Sequence, residues 1–243
     1  MLTKNQIKLI SSLKQKKFRL QHGLFVVEGL KTINELIASH FKLYQLFTID
    51  SFKIDANLET IISESELNKI SFLSTPNKAL AIFKIPEPQL IQENQLIVAL
   101  DNVRDPGNLG TIIRLCDWFG IKDLVCNLET VDCYNPKVIQ ATMGSITRVN
   151  VTYLDLKTFL NKSSLHSFGT FMYGENVYNK QLPKNGVLVL GNEANGISED
   201  IESLVLEKIF IPRFGTIQVA ESLNVATATA ILLSEFKRNI IET

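Results

Sequence analysis

Short apolar runs separated by polar stretches recur along the whole chain, and their lengths alternate between those of buried strands and those of amphipathic helices. In the first 85 residues Leu24-Phe25-Val26-Val27 reads as a strand, Gly29 to Ala38 as a helix and Leu43 to Ile49 as a second strand, which together predict a small α/β module. Lys84-Ile85-Pro86-Glu87-Pro88-Gln89 interrupts the pattern, because its prolines break helix and remove strand donors. A boundary is expected there, with one domain at residues 1–88 and another at residues 95–243. Beyond it, strand patterns at 96–100, 123–126, 149–153, 168–173, 187–190 and 208–211 alternate with helices, including Leu109 to Phe119 and a last one from about Ser222 to Ile240. Such alternation predicts a mostly parallel sheet covered on both faces.

Three polar turns at the ends of apolar runs carry the candidate chemistry. In the first, Leu109, Ile112, Ile113, Cys116 and Phe119 keep the spacing of a buried helical stripe ended by Gly120, while Thr111, Arg114 and Trp118 fall on another face. On the helix alone Arg114 reads as a surface residue with its stem packed down. The preceding Asp105-Pro106-Gly107-Asn108 presents backbone donors and Asn108 at the carboxyl end of a strand, where open α/β sheets bind ligands, and it makes Asn108 and Arg114 candidates that converge on one place.

In the second turn, Val187-Leu188-Val189-Leu190 runs into Gly191-Asn192-Glu193-Ala194-Asn195-Gly196. A plain corner accounts for Gly191 and Gly196 as positive-φ residues and for Ser198 as the cap of a helix opening with Glu199 and Asp200. It does not account for Asn192-Glu193, where exposed backbone is able to hold a nucleobase while Glu193 faces the cleft. In the third, Ile211-Pro212 is followed by Ser222-Leu223-Asn224-Val225, with Ser222 a candidate N-cap and Ala226, Ala228 and Ala230 allowing close approach of another backbone, within the fold or across a dimer. Ser222 and Asn224 also bring polar groups to a helix N-terminus.

Charge narrows the partners. Basic and acidic residues balance at 25 each, so a polyanion surface must be local. Lys4, Lys8, Lys14, Lys16, Lys17 and Arg19 precede the first acid, Glu28, and fit a solvated helix face or a nucleic-acid-contacting arm equally well. Cys116, Cys126 and Cys133 form no C-x-x-C pair and stand far from His22, His40 and His166, so no metal site is expected. The opening lacks the apolar core of a signal peptide, and no apolar run reaches the roughly 18 residues that span a bilayer; a cytoplasmic protein without membrane contact is the expectation. No G-x-G-x-x-G follows a strand and no G-x-x-x-x-G-K-[ST] occurs, which excludes a dinucleotide dehydrogenase and a P-loop enzyme.

Taken in order, the three turns resemble the signature motifs of the SpoU-type RNA ribose 2′-O-methyltransferases of the SPOUT superfamily, over about residues 96–236. Asn135-Pro136-Lys137, Ala141-Thr142-Met143-Gly144-Ser145 and Arg148-Val149 are similar to the family's intermotif segment, and Phe25-Val26-Val27-Glu28-Gly29 to its small substrate-binding domain related to ribosomal protein L30e. The resemblance implies an α/β fold with a deep trefoil knot at the carboxyl end, preceded by an L30e-like domain, working as a homodimer. It implies S-adenosylmethionine on backbone around Leu190, Gly191, Asn192, Ile211, Leu223 and Asn224, and Arg114 acting on the ribose 2′-hydroxyl with help from Asn108, Glu193, Ser222 and Asn224.

A guanidinium stays protonated in proteins, so Arg114 either works with a phosphate or neighbour as the base or orients the hydroxyl and stabilises the alkoxide. RNA contacts are assigned to Lys14, Lys16, Lys17 and Arg19 of the amino-terminal domain. Ribosomal RNA is favoured over transfer RNA, given that accessory domain and the lack of a long basic carboxyl-terminal extension. A noncatalytic RNA-binding protein of the same fold is the rival from another class, and the intact Arg114, Glu193 and Asn224 argue against it. Six residues separate Gly215 from Ser222, twice the family spacing, so the contacts of residues 214–221 stay open.

Overall fold

The computed structural model describes residues 1–215 and 222–238. In chain order its elements are α1 (Lys4–Ser12), α2 (Lys16–His22), β1 (Leu24–Glu28), α3 (Leu30–Ile37), β2 (Leu43–Thr48), β3 (Glu59–Ile61), α4 (Glu64–Ile70), β4 (Ala79–Lys84), β5 (Leu96–Leu100) and α5 (Pro106–Trp118). There follow β6 (Asp123–Cys126), α6 (Pro136–Thr142), β7 (Asn150–Tyr153), α7 (Leu156–Lys162), β8 (Ser167–Asn176), β9 (Gly186–Leu190), α8 (Glu199–Glu202), β10 (Glu207–Phe210) and α9 (Val225–Lys237). They fall into two compact units, Met1–Glu87 with Asp132–Thr147, and Pro88–Val131 with Arg148–Thr243.

The first unit carries a sheet in the order β1-β4-β2-β3, antiparallel except for the β2–β3 pair. Local signals set its helices: Thr3 and Gln6 form a capping box at the start of α1, as do Ser63 and Glu66 for α4. Ile10, Leu13, Val26, Phe47, Leu67 and Ile82 meet in its core. The segment Asp132–Thr147, though remote in sequence, is part of this unit: α6 packs on β1, and the rings of Phe25 and Tyr134 lie 4.7 Å apart. Burial pushes the Tyr134 hydroxyl far above its usual pKa.

Arg19 corrects the expectation that it contacts RNA, for it is 2% exposed. Its guanidinium donates to the carbonyls of Leu13 and Lys14, both at 2.8 Å, and to Asp132 Oδ2 at 2.8 and 2.5 Å. The reason is chemical: the fixed fork of donors satisfies carbonyls left over at the end of α1 and a carboxylate together. Lys14, Lys16 and Lys17 remain exposed, with Lys14 Nζ 4.7 Å from the centroid of the Phe72 ring.

The second unit holds a six-stranded, all-parallel sheet in the order β10-β8-β9-β5-β6-β7. β5 and β9 are buried along their whole length, as central strands covered on both faces must be. α5 begins earlier than the apolar spacing indicates, because Asp105 caps it and Pro106 occupies the first turn, where the missing N–H costs nothing. Its buried face is the expected one, with Phe119 only half-buried and Gly120 left-handed at φ 68° just past the end. α9 packs against α5, so the buried Ala226 and Thr229 serve the fold itself. No helix among the described residues is long and apolar enough to cross a membrane, and no described group of His, Cys, Asp and Glu is arranged to hold a metal ion.

Candidate active site at the carboxyl edge of the sheet

The three polar turns leave the sheet at the carboxyl ends of β5, β9 and β10, and they are stitched together by side chains. Asp101, the first residue after β5, is 3% exposed. Its carboxylate accepts from the Ser198 N–H at 2.7 Å and from Asn127 Nδ2 at 2.8 Å, while its own N–H donates to the Leu190 carbonyl at 2.8 Å. Asn127 Oδ1 in turn accepts from the N–H groups of Asn102 and Thr130, each at 3.0 Å. Ser198 therefore does not cap α8 with its hydroxyl, as its position led one to expect; its backbone is held by Asp101.

The turn after β9 closes on itself. Asn192 and Gly196 exchange two backbone hydrogen bonds of 2.9 Å. Asn192 Oδ1 accepts from the N–H groups of Ala194 and Asn195 at 2.9 and 3.1 Å, and its Nδ2 donates to the Asn102 carbonyl at 2.7 Å. Most polar groups of Asn192 are thus used to hold its own turn, so it fixes the shape of the cavity it lines. Gly191 is required for a reason other than positive φ: a Cβ there would run into the backbone of Gly196 and Ile197. Gly196 does adopt φ 71°.

Asn108, Glu193 and Asn224, one residue from each motif, form a chain. Asn108 Nδ2 donates to Glu193 Oε1 at 2.7 Å, and Asn108 Oδ1 accepts from Asn224 Nδ2 at 2.8 Å. The central residue and one outer residue are anchored by their own turns: Asp105 Oδ1 accepts the Asn108 N–H at 2.8 Å, and Asn224 Oδ1 caps α9 through Ala226 and Thr227. Asn224, not Ser222, is therefore the N-cap of α9, and Ser222 stays exposed.

Arg114 is not drawn into this chain. It stands six residues beyond Asn108, about 9 Å further along the helix axis, exposed and without a hydrogen bond or ion pair among the described residues.

A cavity of about 920 Å³ opens beside the turns. Leu190, Gly191, Asn192, Glu193, Ile211, Ser222 and Leu223 line it; Asn108, Arg114 and Asn224 do not. Sequence reasoning missed its opposite wall, formed by Thr170, Phe171, Met172, Tyr173 and Glu202, since nothing in a strand pattern marks these residues as ligand-facing. It also missed Asp101, for which a signal existed: an acid directly after a wholly apolar strand. Lys208 beside Glu202 holds that carboxyl below its ordinary value, aided by the Tyr173 hydroxyl. Cys116, fully buried on α5, is no nucleophile, because burial raises its thiol far out of reach of neutral pH. Residues 216–221, the greater part of the lengthened third-motif loop, lie outside the described residues, as does the last stretch expected of the final helix.

A parallel sheet whose motif turns converge at its carboxyl edge beside a large, partly apolar cavity defines an α/β domain built to hold a nucleotide-like ligand. The chain belongs to the SpoU rRNA methylase family, whose model matches residues 95–234. Residues 4–81 match the MRM3-like substrate binding domain. Among relatives, the chain is 30% identical over 246 residues to the 23S rRNA (guanosine(2553)-2'-O)-methyltransferase RlmP of Bacillus subtilis, covering 95% of each protein. Among solved structures it is similar to a putative RNA methyltransferase of the TrmH family from Porphyromonas gingivalis, with TM-score 0.88 and 36% identity over 98% of this chain and 99% of that one. It is also similar to the AdoMet-bound rRNA methyltransferase from Sinorhizobium meliloti, with TM-score 0.89 and 30% identity over 100% of this chain and 97% of that one.

Proposed function

We propose that this protein transfers a methyl group from S-adenosylmethionine to a ribose 2′-hydroxyl of ribosomal RNA. The observation that carries the reading is the hydrogen-bonded chain Asn224–Asn108–Glu193, which joins one polar residue of each motif beside the cavity. End-to-end similarity to RlmP, whose name places its activity on 23S rRNA, favours ribosomal over transfer RNA.

The cavity fits the cofactor in kind. Leu190, Ile211 and Leu223 offer apolar surface, and Gly191 lets the turn that borders the cavity close on the backbone of Gly196 and Ile197. S-adenosylmethionine supplies an electrophilic methyl group; the protein's own residues position the acceptor. Glu193, oriented by Asn108, presents a fixed acceptor at the cavity rim, and Asn224 passes the rigidity of the α9 N-terminus to Asn108. Arg114, exposed and without a side-chain partner among the described residues, offers five N–H donors to a substrate phosphate and to the 2′-oxygen as charge develops on it. Positioning of this kind supplies most of the acceleration when the electrophile is already activated.

Four further assignments belong to this reading. A trefoil knot at the carboxyl end is supported by β9 lying between β5 and β8, and by the return of the chain after β10 to pack α9 on α5. An L30e-like RNA-capturing domain at residues 1–88, ahead of a methyltransferase domain at 95–243 that lends Asp132–Thr147 to the first unit, is supported by exposed Lys14, Lys16 and Lys17. Homodimerisation through the second unit is supported by Trp118, 84% exposed on α5; sedimentation should then give about twice the 27.3 kDa chain mass. Action in the cytoplasm is supported by the end-to-end similarity to the Bacillus subtilis enzyme.

The decisive experiment offers the purified protein labelled S-adenosylmethionine and RNA from a strain lacking the gene, alongside the same target oligonucleotide with a 2′-deoxyribose at the mapped site. Label should enter the RNA and not the deoxy substrate. Transfer to the deoxy substrate would place the methyl on a base and overturn the assignment.

A further inference from the structure

β8 and β10 pair in parallel, but their register jumps. Lys208 lies opposite Gly169, whereas the next residue, Ile209, lies opposite Glu175. Residues 170–174 therefore leave the ladder as an excursion, and Thr170, Phe171, Met172 and Tyr173 become one wall of the cavity. Gly174 brings the chain back at φ 121°, where a Cβ would collide with the Lys208 carbonyl.

With no β10 partner among the described pairs, residues 170–174 are held by side chains from the elements around them. The Tyr173 hydroxyl donates to Glu202 Oε1 at 2.7 Å. The Lys208 ammonium forms an ion pair with the same carboxylate and stands 3.3 Å from the Tyr173 hydroxyl. It also lies 5.1 Å from the centroids of both the Phe171 and Tyr173 rings, which are 5.5 Å apart. Glu202 belongs to α8, which follows directly on the Gly191–Gly196 turn, and Lys208 belongs to β10, which leads into Ile211. One cluster thus ties the excursion to the two elements that carry the rest of the cavity wall.

We infer that Tyr173, Glu202 and Lys208 form a positioning lock on the cofactor cavity, which holds Phe171 and Met172 in place before the cofactor arrives and sets its affinity without entering methyl transfer. The inference rests on the methyltransferase reading proposed above. Its physical basis is preorganisation: each backbone residue left mobile must be ordered on binding, and affinity falls by that amount. Among the described residues no hydrogen bond or ion pair joins this cluster to the chain of Asn224, Asn108 and Glu193, so the lock acts on binding and leaves turnover alone.

The test measures calorimetric binding of S-adenosylmethionine, steady-state methyl transfer and thermal unfolding for the full chain and for Tyr173→Phe, Glu202→Gln and their double substitution. Tyr173→Phe keeps the ring and removes one hydrogen bond, so Kd and KM for the cofactor should rise roughly three- to tenfold, with kcat within about twofold. The double substitution should be no weaker than the weaker single one, because both open the same lock.

Unchanged cofactor affinity in both single variants would overturn the inference, and so would a fall in kcat at constant KM or strictly additive losses. Should Glu202→Gln fail to fold, Tyr173→Phe alone decides. Failure of the unaltered protein to bind S-adenosylmethionine overturns the methyltransferase reading itself, an outcome distinct from normal binding that the variants leave untouched.

Discussion

Replacing Arg19 by methionine keeps much of the aliphatic volume but removes the guanidinium from a site where it is 2% exposed and donates to Asp132 and to the carbonyls of Leu13 and Lys14. Asp132, itself 11% exposed, is left as an uncompensated charge. Breaking one side of such a buried pair costs about 3–5 kcal/mol, and some access of water to Asp132 places the expectation near the lower figure. In a chain of this size each kcal/mol moves the melting temperature by about 2–4 °C, so a fall of at least ~6 °C is expected. Scanning calorimetry at neutral pH reads it directly. The companion Arg19→Met/Asp132→Leu should recover part of the loss, since an apolar pair removes the orphaned charge. A melting temperature changed by no more than ~1–2 °C, the effect of an ordinary surface substitution, together with weakened RNA binding, would refute the buried-pair argument and return Arg19 to the nucleic-acid surface.

Reversing the charge of Lys14, Lys16 and Lys17, all exposed, should leave the melting temperature nearly unchanged while RNA affinity falls and its dependence on salt flattens, as a filter-binding salt titration will show. Arg114→Ala should preserve folding, because its side chain has no partner among the described residues, and lower turnover by orders of magnitude with cofactor affinity kept; near-normal turnover would leave Arg114 a surface residue. Asn108→Ala releases both Glu193 and Asn224 and should cut turnover more than Ser222→Ala, a difference single-turnover kinetics will measure. Glu207 is held below its ordinary value of 4.5 chiefly by Lys180, so its contribution to stability is present above that pH and lost as pH falls through the folded-state value. The melting-temperature gap between the unaltered protein and Lys180→Met should therefore close on acidification below pH 4.5; a gap that persists would show that Lys180 stabilises by packing alone.

Particular residues show how far the chain could be read in advance. The stripe Leu109, Ile112, Ile113 and Cys116 was legible because helical spacing and burial are the same fact seen twice. Asn108, Glu193 and Asn224 were legible as candidates because polar residues are concentrated where apolar strands end. Ser222 and Arg19 were misread for one reason: each sits in a pattern that admits two roles, and only a distant partner chooses between them. For Ser222 the competitor was Asn224, whose side chain reaches both the α9 amides and Asn108. For Arg19 the partner is Asp132, 113 residues away. The same distance explains why a cut at the Pro86–Pro88 linker would not separate the two units cleanly, since Asp132–Thr147 would lose the unit in which Tyr134 and α6 are packed.

Local chemistry alone determined the elements, the cap at Asp105 and the polar turns, because periodicity, proline placement and side-chain reach over a few residues are properties of the chain itself. Strand order, the commitment of Asn192 to its own turn, the burial of Arg19 and Asp101 and the excursion at residues 170–174 were decided in three dimensions. Each depends on which remote backbone a side chain meets, and a linear pattern carries no information on a contact whose energy exists only once the sheet has brought its two halves together.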